Sequence, residues 1–448
     1  MSRSYAVLPL DERPFEATVS VPGSKSITNR ALICAALAKG RTRLEGAGFS
    51  DDSRHMAQSL RNLGVGVLED FMAREMVVDG LGSAPQLPLG GGPGVYVGNA
   101  GTAARFLPCM VAAGAGKVLF DSDARMRDRP MGPLMDVLRS QGATFTALQG
   151  PGGAETDRYP FVLEAAGLRG GDIAVDLTKS SQFASGLLMA APYARAEIRL
   201  GVLGGRSQLP YVDMTAAVMG QFGVKVIGGD GRWMVAPGQA YQAQEVYHVE
   251  PDLSGAAYFF AAAALVPGRL CVRGTSNASI QGDLRFLKVL QHMGLSFHQD
   301  PDGLAVLRES LHRPLKGGIT VDMNAFSDQV LTLAALAPFA DGPVKIVNVA
   351  HIRGQECDRL QAIVENLGSL GVDVKEQPDG VEIQPWPLDL RRGGSIRTFG
   401  DHRVAMAFSL MGLKVPGIVV DDADCVAKTF GDFWDGMDSL RIAQGHGA

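Results

Sequence analysis

The sequence predicts an α/β protein of six similar units, grouped as two domains of three units each. Almost purely apolar segments rich in Ala, Leu and Met recur about every 75 residues, a period typical of an internal repeat. A small or polar cluster opens each segment, at Ser24, Asn99, Ser180, Asp252, Ser327 and Asp401. A second, amphipathic segment follows each apolar one, and short strands with alternating apolar and polar residues lie between them.

The apolar segment of each unit predicts a helix that is buried on every side, because it has no polar face to turn toward solvent. The amphipathic segments predict solvent-facing helices, most of them ended by Gly, at 52–64, 130–142, 211–223, 283–294, 357–371 and 432–440. Clear strands are predicted at 76–79, 161–164, 233–236 and 381–384. Six units are too many for one core, so we expect a domain boundary within the polar stretch 238–250.

Composition narrows the class of protein. The net charge of −5 argues against a broad nucleic-acid or membrane surface, and the longest apolar run, at 255–268, is too short to span a bilayer. The N-terminal residues lack the pattern of a signal peptide. None of the 5 cysteines forms a CxxC pair, which favours free thiols in a reducing compartment. We therefore expect a cytoplasmic enzyme without nucleic-acid or membrane partners.

Charged side chains stand at the predicted starts of the buried helices. A helix start presents unpaired N–H groups and the positive end of the helix dipole, which together bind anions. Lys25, Arg30, Arg105 and Arg403 lie at or near such starts. The pattern indicates a site for a polyanionic small molecule. The alternative is a set of capped helices with solvated cations. The first start is not a Walker A loop, because Ser24 and not Gly precedes Lys25.

Other segments add candidates and their structural alternatives. The small residues of 98–105 would let a ligand approach backbone N–H groups closely. In 121–130 we interpret Arg125 and Arg127 as a solvated charged face. Ser180 to Gln182 supply neutral hydrogen-bond donors suited to phosphate or carboxylate oxygens.

In the second half of the chain, carboxylates stand beside arginines. Asp328 could cap a helix or do chemistry, and a cap does not exclude chemistry. Glu356, Asp358 and Arg359 could form only a structural ion-pair cluster, and we interpret His402 as a packed histidine. No set of residues has metal-ligand spacing, and no Ser–His–Asp arrangement stands out, so no metal or cofactor is predicted.

Ten motifs occur in one order along nearly the whole chain. They are PGSKSxxNRA, GNAGTAxR, DRPMGPL, SSQFxSxLLMAAP, PYVDMT, DLSGAAYF, the SDQ helix start, RxQECDRL, GDHRVAMAFS and CVAKTF. In these motifs the chain resembles the 5-enolpyruvylshikimate-3-phosphate synthase family of enolpyruvyl transferases. The resemblance implies two domains of three βαβαββ repeats each, an inside-out α/β barrel fold. It also implies an N-terminal-type domain at 23–244 and a C-terminal-type domain formed by 1–22 and 245–448.

The resemblance further implies the reaction. Members of the family transfer the enolpyruvyl (carboxyvinyl) group of phosphoenolpyruvate to the 5-hydroxyl of shikimate 3-phosphate and release phosphate. This is a step of the shikimate pathway toward chorismate and the aromatic amino acids, and the target of glyphosate. The resemblance implies no cofactor, and we expect a monomer.

Site residues follow from the matched motifs as implications of the resemblance. Asp328 would be the general base on the 5-hydroxyl, Glu356 the proton donor near the methylene carbon, and Lys25 would be shared by both substrates. The residues expected on shikimate 3-phosphate are Lys25, Ser26, Arg30, Ser180, Ser181, Gln182, Gln208, Tyr211, Asp328 and Gln355. Those expected on phosphoenolpyruvate are Lys25, Gly101, Arg129, Gln182, Arg359, Arg403 and Lys428.

The chain departs from the common family pattern at a few positions. Gln355 stands where a Lys is often found, and His351 stands where an Asn is common. Arg353 is either a substitute cation for that Lys or the partner of Asp358 or another carboxylate. Phe106 replaces a Pro after the GNAGTAxR motif, and either Ser207 or Gln208 would reach the phosphate.

The sequence has two alternative interpretations of function. A UDP-N-acetylglucosamine enolpyruvyl transferase would share the fold, but that family typically carries a Cys in the loop that corresponds to 121–130, which has none. A non-catalytic repeat scaffold would not be expected to place acidic and basic groups at helix starts in both halves.

Overall fold

The computed structural model describes residues 3–148, 157–178, 180–204, 209–310 and 313–445. The chain divides into two compact units, which we call the N-unit (Gly23–Val249) and the C-unit (Met1–Pro22 with Glu250–Ala448). The N-unit extends five residues past the end predicted for the N-terminal-type domain, from 244 to 249. The reason is a short strand, β14 (Val246–His248), which pairs in parallel with β3 (Lys39–Glu45) at the start of the same unit.

The N-unit contains three mixed sheets with one shared plan, in which a parallel pair is followed by two antiparallel pairs. The first sheet runs β14, β3, β5 (Glu75–Leu81), β4 (Gly66–Asp70). The second runs β6 (Val95–Tyr96), β7 (Ala115–Asp121), β9 (Phe161–Ala166), β8 (Thr144–Ala147). The third runs β10 (Gly171–Val175), β11 (Ile198–Val202), β13 (Arg232–Val235), β12 (Ile227–Gly229).

Helices of the N-unit connect these strands. They are α1 (Lys25–Leu37), α2 (Asp51–Asn62), α3 (Gly101–Ala112), α4 (Ala124–Arg127), α5 (Gly132–Ser140), α6 (Gln182–Ala190) and α7 (Leu209–Gln221). Every residue of α3 is buried, as are eleven of α1 from Ile27 to Leu37 and all of α6 after its first residue. Helix α3 contacts both α1 and α6, so the three apolar helices form the core of the unit.

The C-unit repeats the plan. Its first sheet runs β16 (Ser296–Asp300), β17 (Gly303–Arg308), β15 (Gly268–Arg273), β2 (Phe15–Val19). The second runs β18 (Ile319–Asp322), β19 (Val344–Val347), β21 (Gly380–Ile383), β20 (Val374–Gln377). The third has three strands, β1 (Tyr5–Ala6), β23 (Ile418–Val420) and β22 (Gly394–Ile396). The N-terminal strands β1 and β2 therefore pair with β23 and β15 of the C-unit.

Its helices are α8 (Leu253–Ala262), α9 (Phe286–His292), α10 (Val330–Leu336), α11 (Arg359–Ser369), α12 (His402–Gly412) and α13 (Phe433–Ala443). Helices α8, α10 and α12 are buried along their whole length and contact one another. Three short 3-10 turns carry polar residues beside them, at Asn324–Gln329, Ala350–Gly354 and Ala423–Lys428.

Chain order and pairing together give the βαβαββ repeat. In the second repeat of the N-unit, for example, β6, α3, β7, α5, β8 and β9 occur in this order, with the short helix α4 between β7 and α5. The prediction of buried apolar helices is confirmed, and helices such as α2 and α11 bury only one face, as their amphipathic pattern predicts. No helix in the described part of the chain is long and apolar enough to cross a membrane.

A close approach between β5 and α1 supplies a stability test. A Cβ atom added at Gly80 would lie 2.2 Å from the carbonyl oxygens of both Ala35 and Ala38, at the end of α1. We expect Gly80→Ala to lower the free energy of unfolding by about 1–3 kcal/mol, because backbone atoms must move. Gly220→Ala in α7 is the matched control, since nothing lies within 4 Å of its added Cβ. In urea unfolding, Gly220→Ala should be as stable as the parent or slightly more stable. Equal unfolding midpoints for the two variants would contradict the close packing at Gly80.

Candidate functional site

Arg359 is the centre of a charged cluster in the C-unit. It begins α11, which Asp358 caps by accepting hydrogen bonds from the backbone N–H groups of Leu360 and Gln361. The buried guanidinium donates from Nε to Asp401 at 2.9 Å and from Nη2 to Glu356 at 2.9 Å. Burial alone would lower the pKa of Arg359, but the charges of Asp401, Glu356 and Asp328 outweigh it and raise that pKa. Arg359 is therefore a fixed cation.

Asp401 anchors this guanidinium from the start of α12. Its carboxylate is fully buried and caps the helix by accepting from the backbone N–H of Arg403 at 2.9 Å. The Asp401 carboxylate thus both caps the start of α12 and pairs with Arg359. Because both interactions stabilise its charge, an acidic residue is tolerated at the buried end of an apolar helix.

Asp328 lies in the 3-10 turn that leads into α10. Its Oδ2 accepts from Nη2 of Arg403 at 2.7 Å, and its Oδ1 lies 3.5 Å from Nη1 of Arg359. The side chain remains 27% exposed, so it is held by two cations and still open to solvent on one side. Burial works to lower the pKa of Arg403, but Asp328 contributes most to raising it well above its usual value.

Glu356 joins the same network through Lys428. Its Oε1 accepts from the Lys428 ammonium at 2.7 Å, while Oε2 accepts from Arg359. Lys428 ends the 3-10 turn Ala423–Lys428. The structure therefore brings five of the predicted site residues together: Asp328, Glu356, Arg359, Arg403 and Lys428.

The residues before Glu356 include the positions at which the chain departs from the family pattern. Arg353 forms ion pairs with Asp358 at 3.1 Å and Glu376 at 2.7 Å. Arg353 therefore makes the ion pairs that the structural alternative predicts. His351 lies 2.8 Å from the Ser327 hydroxyl, and burial lowers the pKa of its ring, which favours the neutral imidazole. Gln355 is half-buried, directly before Glu356.

Sequence reasoning missed Asp283, which it treated only as the start of an amphipathic segment. The buried carboxylate accepts from Nε2 of Gln329 at 2.7 Å, and Gln329 is the residue after Asp328. Burial, followed by the negative charge of Asp328, raises the pKa of Asp283 to about 6. The available signal was an acidic residue at the start of an amphipathic helical segment.

In the N-unit, Lys25 is the first residue of α1. Its ammonium pairs with Asp52 at 3.0 Å, and the lysine side chain is 19% exposed. Asp52 is held in the first turn of α2, where Ser50 and Ser53 form a capping box. Asp52 was not among the predicted residues.

Arg30 is buried one turn further along α1. It donates to the Thr215 hydroxyl at 2.7 Å and to the backbone carbonyls of Ser26 at 2.8 Å and Tyr211 at 3.1 Å. Burial lowers its pKa to about 10. The guanidinium lies 5.3 Å from the centre of the Phe106 ring, which gives that unusual aromatic residue a packing role. Arg30 thereby ties α1 to α7.

The third group lies at the starts of α3 and α6. A Cβ added at Gly101 would lie 3.3 Å from Oε1 of Gln182 and 3.5 Å from Nη1 of Arg129, so these three predicted residues are neighbours. Ser180 accepts from the backbone N–H of Gln182 at 3.2 Å, and Ser181 is buried beside it.

Ser207 and Gln208 lie outside the described residues. Tyr211 is half-buried in the first turn of α7, where its backbone carbonyl accepts from Arg30. Within the described ranges, no group of three or more His, Cys, Asp and Glu residues could hold a metal ion.

The raised pKa of Asp283 gives a testable dependence of stability on pH. Its contribution to stability is present below about pH 4 and is lost as the pH rises through about 6, because the folded state then holds a buried charge. Asn keeps the acceptor for Gln329 without the charge, so we expect Asp283→Asn to be about 1–3 kcal/mol more stable than the parent at pH 8. The gain should disappear near pH 4. The exposed Asp389→Asn is the control, and denaturant unfolding that shows no gain at pH 8 would contradict the expectation.

Comparison with known proteins gives one family. The model of EPSP synthase (3-phosphoshikimate 1-carboxyvinyltransferase) matches residues 11–437. A 3-phosphoshikimate 1-carboxyvinyltransferase of Nostoc punctiforme is 44% identical over 429 residues, 95% of this chain and 97% of the relative. One of Edwardsiella ictaluri is 40% identical over 441 residues, 98% of this chain and 99% of the relative.

The fold agrees with these relatives. A solved EPSP synthase of Acinetobacter baumannii superposes with a TM-score of 0.80 at 26% identity, over 98% of each chain. The matched repeats, the cluster around Arg359 and the relatives all lead to one conclusion. The chain belongs to the EPSP synthase (3-phosphoshikimate 1-carboxyvinyltransferase) family.

Proposed function

We propose that the chain catalyses the reaction of its family, transfer of the enolpyruvyl group of phosphoenolpyruvate to the 5-hydroxyl of shikimate 3-phosphate with release of phosphate. The observation that carries the proposal is the C-unit cluster, in which two carboxylates, Asp328 and Glu356, share three cations. Proton transfer needs the carboxylates, and binding of anionic substrates needs the cations.

Both substrates are anions, so bringing them together costs Coulomb energy that only nearby cations offset. For phosphoenolpyruvate we propose Arg359, Arg403 and Lys428 in the C-unit. In the N-unit we propose Lys25, Arg129, Gln182 and the backbone at Gly101. The C-unit cations are already paired with carboxylates, so an incoming phosphate or carboxylate group shares them. The added negative charge then favours a proton on the nearest carboxylate, which suits Glu356 as a proton donor.

In the first step of the proposed mechanism, Glu356 gives its proton to the methylene carbon of phosphoenolpyruvate. The substrate 5-hydroxyl oxygen forms a bond to the enol carbon, while its proton passes to Asp328. In the second step the bond to the phosphate oxygen breaks, and the Glu356 carboxylate takes a proton back from the new methyl group. The proton on Asp328 is then available to the departing phosphate, so both residues return to their starting forms.

Shikimate 3-phosphate would be held by Lys25, Ser26, the start of α6 at Ser180, Ser181 and Gln182, and by Tyr211, Asp328 and Gln355, with Gln208 as a further candidate. Arg30 is proposed for the same substrate, as its motif implies. Its hydrogen bonds to the backbone carbonyls of Ser26 and Tyr211 also hold two of these residues in place.

The family match and the names of the relatives give no support to the alternative acceptor UDP-N-acetylglucosamine. We also propose a monomeric cytoplasmic enzyme that needs no cofactor.

The direct test measures inorganic phosphate released from phosphoenolpyruvate. We expect release to depend on shikimate 3-phosphate and to cease when UDP-N-acetylglucosamine replaces it. Release at the same rate without shikimate 3-phosphate, or none with both substrates present, would refute the proposed function.

The two carboxylates supply the first prediction on turnover. We expect Asp328→Asn and Glu356→Gln each to lower kcat by at least roughly 100-fold, the size expected for loss of a positioned acid or base, while substrate binding largely survives. Glu365→Gln is the matched control, because Glu365 lies on α11 and pairs with the exposed Arg397. Steady-state kinetics should leave this control at the parental rate. Parental turnover in Asp328→Asn or Glu356→Gln would remove that residue from the mechanism.

Gly101 supplies a prediction on binding. The methyl group of Gly101→Ala would contact Gln182 and Arg129 at 3.3–3.5 Å, where we propose that phosphoenolpyruvate binds. We expect the KM for phosphoenolpyruvate to rise roughly tenfold, equivalent to about 1.4 kcal/mol, and the KM for shikimate 3-phosphate to change far less. Gly220→Ala, which meets no atom within 4 Å, is the control. An equal rise in both KM values would argue against a local effect at Gly101.

A further inference from the structure

Arg105 is a buried cation in α3, and it has no role in the mechanism proposed above. The residue is 3% exposed, and its Nε has no hydrogen-bond partner among the described residues. Its Nη1 donates to the backbone carbonyl of Gly101 at 3.3 Å and contacts the sulfur of Met126 at 3.2 Å. The guanidinium therefore touches the residue that opens α3 and the turn before Arg129.

We propose that Arg105 is a positioning residue for phosphoenolpyruvate. In this role it holds Gly101 and the Arg129-bearing turn together, and it supplies a buried positive charge that a bound anion neutralises. The inference rests on the proposed function, because it concerns the same substrate.

The first part of the argument is geometric. Met126 lies in α4, the short helix capped by Asp123, and its carbonyl accepts from the backbone N–H of Arg129 at 3.1 Å. Gly101 is the neighbour of the Arg129 guanidinium. One side chain thus contacts the backbone of Gly101 and the Met126 side chain, which belong to the two segments that carry the proposed phosphoenolpyruvate contacts of the N-unit. A displacement of either segment would move Gly101 relative to Arg129.

The second part is electrostatic. Burial, followed by the positive charge of Arg129, lowers the pKa of Arg105 to about 9, while Tyr159 acts in the opposite direction. No carboxylate is paired with Arg105 among the described residues. An anion bound at Gly101 and Arg129 would relieve this repulsion. By reciprocity, the charge of Arg105 would strengthen binding of that anion.

A matched control comes from Arg308 at the end of β17. Its guanidinium is also buried, and burial lowers its pKa to about 10. Among the described residues it donates to the backbone carbonyls of Ser310 and Arg313, in the C-unit. Like Arg105 it is buried, at 8% exposed against 3%, and within the described ranges it is shown with no paired carboxylate and no contact with the proposed substrate residues.

The experiment compares Arg105→Gln, Arg105→Lys and Arg308→Gln by steady-state kinetics with both substrates. We expect Arg105→Gln to raise the KM for phosphoenolpyruvate at least roughly tenfold and the KM for shikimate 3-phosphate less than about threefold. Arg105→Lys, which keeps the charge, should recover much of the loss. Arg308→Gln should leave both KM values unchanged.

Parental KM for phosphoenolpyruvate in Arg105→Gln, or an equal rise for both substrates, would overturn the inference. If Arg105→Gln fails to fold, Arg105→Lys decides: a selective rise in the KM for phosphoenolpyruvate of less than tenfold supports the inference, and no change or an equal rise overturns it. Phosphate release by the parent enzyme distinguishes failure of this inference from failure of the proposed function. Absence of phosphate release dependent on shikimate 3-phosphate in the parent would refute the proposed function itself.

Discussion

Burial of the apolar helices is the constraint on which the arrangement of both units depends. Helices such as α3, α8 and α12 have no solvent-facing side, so the only places where they can present polar groups to a ligand are their ends. Their first turns also carry unpaired N–H groups and the positive end of the helix dipole. The same repeat that builds the core therefore produces a set of helix starts with the groups that suit an anion.

In the C-unit this constraint is met by a network of opposite charges. Asp401 caps α12 and pairs with Arg359, and Arg359 in turn holds Glu356 and Asp328. Desolvation of so many charges is costly unless each is paired, and removal of one partner would leave another charge buried alone. The network keeps its cations charged and in place before any substrate is present. The N-unit differs, because Arg105 and Arg30 are buried cations whose hydrogen bonds go to neutral groups.

The sequence predicted the fold well because the repeat is encoded locally. Apolar runs, Gly stops and helix starts are all visible within windows of about fifteen residues. It also predicted which residues stand at the helix starts, such as Lys25 and Arg403. The exact division of the chain was harder, because β14 is three residues long and its partner β3 lies some 200 residues earlier.

The partners of the site residues could not be predicted for the same reason. Pairing of Lys25 with Asp52, of Arg30 with Thr215 and of Asp283 with Gln329 joins different helices, and no local pattern records which side chains meet there. Arg353 is an example in which the local sequence left two alternatives open. Its position allowed either a substitute cation or a partner of Asp358 or another carboxylate, and the structure shows ion pairs with Asp358 and Glu376. The choice depends on the tertiary position of β20, which carries Glu376.

Hydrogen–deuterium exchange of backbone amides, with and without shikimate 3-phosphate and phosphoenolpyruvate, tests the link between buried helices and ligand binding most directly. Amides in the interiors of α1, α3, α8 and α12 should exchange slowly even without substrates, because they open only when their unit unfolds. Added substrates should protect the first turns of α1, α3, α6 and α12 and the turn that carries Asp328. Protection confined to the β-strands, or fast exchange in the interiors of the apolar helices, would contradict this organisation of the molecule.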